Sequence, residues 1–437
     1  MTQGINCVPL STAEIIAVGS ELLTPFRSDT NSLFLTARLN ELGIEVRRKS
    51  IVGDDPADLG SAVTGALARV DLLVICGGLG PTDDDLTRET VAGVLGMTLR
   101  EDPSICERLI TRFASFGWAM PENNRRQALI PEGAVVLDNP RGTAPGLWLE
   151  RGPQVVILLP GPPRELEPMF ATVARDLVAL RAVPERLYRR VLRVAGRGES
   201  HVEELAQPVY CRWRAGVPPV LTTVLALPGL VELHLSTRAT SEAAATATLD
   251  GATGELAAVL GEHLFSTDGR SLPEVVGHLL EQQGLRVAVG ESCTGGILTA
   301  YLVDVPGSSN YVEIGMVAYS NEIKRVGLGV DPALLETNGA VSEDVALAMA
   351  EGARRFGVTP IGLGVTGVAG PGGGSDDKPV GTVCLAVAGP DDERITRTVL
   401  FPGDRAMIRQ LSAVTALDML RRVLLRRTRD RELVRGG

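Results

Sequence analysis

From Glu14 to Cys76, short apolar runs alternate with longer amphipathic stretches, and this alternation restricts the fold more than any other feature of the chain. The runs Ile15 to Val18, Ile44 to Val52 and Leu72 to Cys76 have strand length, whereas Asn31 to Leu42 and Asp58 to Ala68 have helical spacing. Strand, helix, strand, helix, strand makes two β-α-β units, and their right-handed crossovers require a parallel sheet. In such a sheet ligands sit beyond the carboxyl ends of the strands. Three loops at that end carry chemistry: Gly19-Ser20-Glu21, Gly53-Asp54-Asp55 and Gly77 to Thr87.

The third loop, Gly77-Gly78-Leu79-Gly80-Pro81-Thr82-Asp83-Asp84-Asp85, sets three glycines beside three successive aspartates. Its backbone can cradle phosphate oxygens while the carboxylates hold a divalent cation. The competing reading is that the aspartates cap the helix starting near Thr87. Asn139 to Gly146 and Leu159 to Glu165 read as further turns at the same end.

A second concentration of chemistry spans Gly290 to Lys324. The run Leu285 to Val289 reads as a strand, and Ser292-Cys293-Thr294-Gly295-Gly296 falls where it turns into a helix, Ile297 to Val303. Such a turn offers backbone N–H groups to an anion, and its glycines let a ligand come close. Only three of the 43 basic residues are lysines, Lys49, Lys324 and Lys378. Arginine therefore serves wherever a fixed positive charge will do, which marks Lys324 as a position that needs an amine. A desolvated amine can lose its proton and act as a general base, which a guanidinium cannot. With Ser308, Ser309 and Tyr319 close by in sequence, one reading is a Ser–Lys hydrolase; the other is a surface lysine on the helix Asn321 to Val326. Downstream, Thr366 to Gly374 is another glycine-rich loop, and Arg405 opens the final helix, where an N-terminus already attracts anions; a surface arginine is the alternative.

A length of 437 residues suggests three domains, which we place at 12–182, 185–261 and 265–430. The middle stretch reads as a small α+β unit without a catalytic constellation, in which His201 and His234 are packing or surface residues. Six widely separated cysteines without a CxxC pair argue against a disulfide framework and for a reducing cytoplasm. No signal segment opens the chain and no apolar run reaches the ~18 residues of a membrane span, so a membrane partner is not expected. A net charge of −10 argues against nucleic-acid coating. The arginine-dense tail, Arg421 to Arg435, is read as a solvated helix end.

Taken together, these strings resemble the CinA (competence/damage-inducible) family over nearly the whole chain. Gly77 to Thr87 with Pro160 to Glu165 is similar to its molybdopterin-binding-like domain, and residues 185–260 to its small KH-type domain. Glu291 to Gly296, Gly307 to Ser309, Tyr319 to Lys324, Thr366 to Pro371 and Phe401 to Arg405 are similar to its nicotinamide-nucleotide amidase domain. The fold implied is α/β: an N-terminal molybdopterin-binding-like parallel-sheet domain, a small α+β (KH-type) middle domain and a C-terminal α/β amidase domain.

The resemblance implies hydrolysis of nicotinamide mononucleotide (NMN) to nicotinic acid mononucleotide and ammonia, with no cofactor at that site. Carried over by position, Ser309 is the nucleophile and Lys324 its base, and Ser308 and Ser292 remain alternative nucleophiles. Tyr319, Ser292, Thr366 and Arg405 support the reaction or bind substrate, together with Thr294, Gly295 and Gly296 of the turn. In the N-terminal domain the resemblance implies metal-dependent hydrolysis of ADP-ribose to AMP and ribose 5-phosphate. There Asp84 and Asp85 would hold magnesium, manganese or cobalt, assisted by Asp54 and Glu165, while Gly78, Gly80 and Thr82 cradle the pyrophosphate. A homodimer is expected. The rival reading is a non-catalytic nucleotide or molybdopterin-type binding protein serving competence or the DNA damage response. Gly196-Arg197-Gly198-Glu199 is a poor match to an RNA-binding GXXG loop, so nucleic acid is not expected as a partner.

Overall fold

The computed structural model describes residues 8–390 and 392–435, with side chains to residue 430; Cys7 and the start of the chain lie outside them. The chain divides into two compact units, one running through Tyr188 and taking in Arg238–Ala245, the other made of Arg189–Thr237 and the chain from Thr246 onward. The first unit follows the expected alternation: β1 (Thr12–Val18), α1 (Asn31–Glu41), β2 (Glu45–Val52), α2 (Pro56–Leu67) and β3 (Leu72–Cys76). Then come α3 (Thr87–Leu95), β4 (Leu99–Glu101), α4 (Pro103–Ser115), β5 (Leu129–Pro131), β6 (Val135–Leu137), β7 (Gly146–Arg151), β8 (Gln154–Leu159) and α5 (Pro163–Val173). Asp55 and Asp102 cap α2 and α4 through their side chains, each followed by a proline whose missing N–H the first turn does not need.

The main sheet has the order β2-β1-β3-β8-β7-β6. Its first four strands are parallel, as expected, but β7 and β6 run antiparallel. The reason is local: only Gly152 and Pro153 separate β7 from β8, and so short a connection can join only antiparallel neighbours. Strands β1, β3 and β8 are buried along almost their whole length, and apolar clusters lie on both faces of the sheet. Register places Ala17 beside Cys76 and Cys76 beside Leu159, so the loops that follow these three strands leave the sheet side by side. The crossing is tight enough at Gly77, φ 105°, that a Cβ there would meet Val18 O at 2.1 Å.

The second unit holds α6 (Glu199–Tyr210) and β10 (Val220–Leu227) and most of β9 (Arg186–Ala195), β11 (Leu230–Ala239) and α7 (Glu242–Leu260). These strands form the sheet β10-β11-β9-β12, with β12 (Leu264–Ser266) taking in Phe265, where the last domain was expected to begin. There follow α8 (Leu272–Gln283), β13 (Val287–Glu291), α9 (Ile297–Val303), β14 (Val312–Val317), α10 (Asn321–Leu328), α11 (Pro332–Asn338) and α12 (Glu343–Gly357). The chain closes with β15 (Ile361–Gly367), β16 (Thr382–Ala388), β17 (Arg394–Leu400) and α13 (Arg405–Arg435).

The sheet of the last segment is β14-β13-β15-β16-β17, parallel through its first three strands and antiparallel beyond. α8, α9 and α13 contribute to the apolar cluster on one face, and α12 covers the other. α12 approaches so closely that a Cβ on Gly364 would lie 1.9 Å from Ala346 O, which explains the glycines in β15 and the alanines facing them. The start of the tail departs from its reading as a solvated end, while Arg426 and Arg429 stay exposed. Arg421 is 1 % exposed, with Nε and Nη2 donating to Asp418 Oδ1, so it belongs to a buried ion pair rather than to the surface. Among the described residues no helix is long and apolar enough to cross a membrane.

Candidate active sites

β13 ends at Glu291, and the N–H of the next residue, Ser292, donates to Val365 O at 2.9 Å, which anchors Ser292 beside the carboxyl end of β15. α10, capped by the Ser320 side chain, brings Lys324 to the same place from the other side. Lys324 is 2 % exposed; its Nζ donates to Ser292 Oγ at 3.1 Å and to Tyr319 O at 3.3 Å. No carboxylate pairs with Lys324 among the described residues, and burial pushes its ammonium below the ordinary lysine value. A lowered value enlarges the fraction of free amine near neutral pH, the form that can take a hydroxyl proton. The neighbouring Cys293 is no rival nucleophile, since burial pushes its thiol up to about 12.

Other expected residues gather at this end of the sheet. The Arg405 guanidinium donates from Nη2 to Tyr319 Oη at 3.0 Å and from Nη1 to Gly370 O at 2.9 Å, linking the loops after β14 and β15. Thr366, next to Val365, donates its hydroxyl to Ala340 O at 2.7 Å. Thr294, Gly295 and Gly296 form the turn after Ser292, with both glycines at positive φ.

Ser309 is the exception. It sits on the exposed turn Ser308–Asn310, just before β14 begins at Val312, and Val312 pairs with Val287 at the amino end of β13. The six residues of β14 therefore separate it from the Lys324 end of the sheet, about 20 Å at about 3.3 Å per residue. Ser308 shares that turn and donates to Val303 O. Within this chain, the serine that meets the lysine is Ser292, one of the alternatives kept open, and not Ser309.

Two side chains that sequence reasoning missed hold the Ser292 turn. Glu291, fully buried, accepts from the N–H groups of Gly296, Leu298 and Thr299 and from the Thr299 hydroxyl. Arg409 donates from Nε at 3.2 Å and Nη2 at 2.7 Å to Thr294 O. The available signal was the spacing of Arg405 and Arg409, one helical turn apart on the same side.

In the N-terminal unit the loops after β1, β2, β3 and β8 wall a cleft of about 660 Å³. Gly78, Gly80, Asp54, Asp84, Asp85 and Glu165 line it together with Glu21, and Asp29, Asn31 and Gln127 are lining residues not singled out from the sequence. Thr82 does not line it: its N–H and hydroxyl both donate to Asp85 Oδ2. Asp54 Oδ2 accepts from Ser20 N at 2.7 Å and Glu165 Oε2 from Asn139 Nδ2 at 2.9 Å, so three of the four carboxylates brace loops with one oxygen. Among the described residues no three acidic, histidine or cysteine side chains converge as a protein-only metal cage. That arrangement still fits magnesium or manganese, which are commonly held by one or two carboxylates and completed by substrate phosphates.

Comparison with known proteins finds two family models on the chain. Residues 14–179 match the family described as a probable molybdopterin binding domain, and residues 269–424 match the CinA C-terminal domain. The chain is 46 % identical over 419 residues to a CinA-like protein of Koribacter versatilis, covering 94 % of this chain and 100 % of that one. It is 44 % identical over 424 residues to a putative competence-damage inducible protein of Symbiobacterium thermophilum, covering 94 % and 99 %. Among solved structures, CinA of Thermoplasma acidophilum, described as of unknown function, is 38 % identical, covering 38 % of this chain and 98 % of that one, with a TM-score of 0.36.

Proposed function

This chain belongs to the CinA family, and on that premise we propose that its C-terminal segment is a serine–lysine amidohydrolase that converts NMN to nicotinic acid mononucleotide and ammonia. The observation that carries the reading is the buried Lys324 amine, without a carboxylate partner among the described residues, 3.1 Å from Ser292 Oγ. Lys324 takes the hydroxyl proton as Ser292 Oγ attacks the carboxamide carbon. A backbone N–H of the turn after Ser292 would receive the developing oxyanion. Lys324 then returns its proton to the leaving nitrogen, ammonia departs, and water hydrolyses the seryl ester with the amine again as base. Arg405 and Tyr319, tied together across the site, are placed to hold the nucleotide's phosphate.

The test is ammonia release from NMN by chelator-treated protein. Lys324→Arg lowers kcat by about 10²–10⁴-fold, the usual worth of a positioned general base. A variant as active as the wild type refutes the assignment of the base.

The cleft of the first unit supports a second activity, hydrolysis of ADP-ribose to AMP and ribose 5-phosphate. Its support is the juxtaposition of the Gly77 to Gly80 loop with Asp84 and Asp85 in one concavity. Gly78 and Gly80 would let the pyrophosphate approach the backbone. Asp84 and Asp85 would hold a divalent cation, whose chemistry there is charge neutralisation on the pyrophosphate oxygens. ADP-ribose left intact in the presence of magnesium, manganese and cobalt refutes this half.

A further inference from the structure

The turn from Ser292 to Gly296 carries the proposed nucleophile, yet it contains two adjacent glycines in left-handed conformations, φ 59° at Gly295 and 95° at Gly296. A glycine pair leaves the backbone its widest freedom, so the turn needs support from outside itself. It has support on both sides, and each support is an ionisable side chain. On the N–H side, Glu291 Oε2 accepts from Gly296 N at 2.9 Å and Leu298 N at 3.2 Å, and Oε1 accepts from Thr299 N at 2.9 Å. These are the orphan donors of the first turn of α9. On the carbonyl side, Arg409 reaches across from α13 to place two N–H groups on Thr294 O. The guanidinium lies flush against the turn, since a Cβ on Gly295 would stand 3.1 Å from Nη2.

We propose that Glu291 and Arg409 form a clamp of opposite charges that positions the nucleophile. The carboxylate fixes the helix end of the turn and the guanidinium fixes its centre, so Ser292 Oγ stays within reach of Lys324 Nζ. The inference rests on the amidohydrolase reading of Ser292 and adds to it the residues that hold the site in register. Charge-assisted hydrogen bonds are shorter and stronger than neutral ones, which suits a turn whose own backbone resists little. An arginine is required rather than a lysine, because only the planar fork delivers two N–H groups to one carbonyl oxygen without reorientation. Arg409 acts through Thr294, and its Nε and Nη2 are both committed to the backbone. One turn earlier, Arg405 holds Tyr319 Oη and Gly370 O. The opening of α13 thereby connects the nucleophile turn with the loops proposed to hold substrate.

The test compares Arg409→Lys and Arg409→Gln with the full-length wild type. Three readouts are taken: ammonia release from NMN, the rate of modification of Ser292 by a fluorophosphonate, and hydrogen exchange across residues 290–300. Positioning predicts a kcat lowered by about 100-fold, the usual cost of a misplacement near 1 Å, with KM within about threefold and melting temperature nearly unchanged. Modification of Ser292 slows in the same proportion, and the turn exchanges faster while α13 keeps its protection. Wild-type kcat in Arg409→Lys overturns the proposal, as does a raised KM at constant kcat, which signals direct substrate contact. A wild type that releases no ammonia sinks the amidohydrolase reading instead, and the clamp is then judged on hydrogen exchange, where an unchanged turn in Arg409→Gln refutes it.

Discussion

Lys324→Met exchanges a buried amine for a side chain of similar length that does not titrate, and the consequences for stability follow from the surroundings of Lys324. The residue is 2 % exposed and burial depresses its folded-state value below the 10.5 of the free side chain. Between those two values the unfolded chain holds a proton that the folded chain has released. Wild-type stability therefore rises with pH through that window and levels off above 10.5, with a limiting slope of about 1.4 kcal/mol per pH unit. Below the window both states are protonated and the wild type carries the whole desolvation penalty. The methionine variant is free of that penalty but forfeits the hydrogen bond to Ser292 Oγ, worth about 1 kcal/mol at any pH. The stability of the variant relative to the wild type is thus greatest at neutral pH and declines as the solution becomes alkaline, while its amidase activity is absent throughout. The assay equilibrates both proteins in urea from about pH 6 to about pH 10, then applies a deuterium pulse at one fixed pH and reads unfolding in residues 285–330. A stability difference that stays constant over that range means the amine titrates alike in both states, and the argument for an uncharged base falls with it.

Further outcomes follow from other contacts. Ser292→Ala abolishes ammonia release, whereas Ser309→Ala, at the far end of β14, leaves kcat within about threefold of wild type, as surface changes away from a site do; the reverse pattern would restore Ser309 as nucleophile. Chelation stops ADP-ribose hydrolysis and leaves NMN deamidation intact, and loss of both activities would contradict separate metal-dependent and metal-independent sites. Asp418→Ala strands the Arg421 guanidinium in the interior and costs about 3–5 kcal/mol, measured as a urea midpoint; a loss under about 1 kcal/mol would show that water reaches Arg421.

The α/β architecture was legible because strand length and helical spacing alternate through the first unit and again around β13. The antiparallel edge of the first sheet was less so, since it depends on the two-residue connection at Gly152 and Pro153 rather than on any apolar pattern. Lys324 stood out by elimination in a chain that otherwise uses arginine, and it proved to be the buried amine beside a serine. Its partner was obscured because nearness in sequence misleads in a parallel sheet: Ser309 is closer to Lys324 along the chain, but a strand carries the chain away from it, while Ser292 meets it across β13 and α10. Arg409 was hidden because its partner is a main-chain carbonyl 115 positions away: its spacing from Arg405 marks a shared helix face but not what that face touches. In the N-terminal cleft the acidic residues were recognisable, but not their division of labour: Asp54, Asp85 and Glu165 each commit an oxygen to bracing a loop.

The most direct test of the account is to identify which side chain a fluorophosphonate modifies when it competes with NMN, by mapping the labelled peptide in wild type and in Lys324→Arg. The account predicts a single adduct on Ser292, formed at stoichiometry in the wild type, suppressed by NMN, and nearly absent when the amine becomes a guanidinium. An adduct on Ser308 or Ser309, or labelling of Ser292 in Lys324→Arg at the wild-type rate, would contradict it.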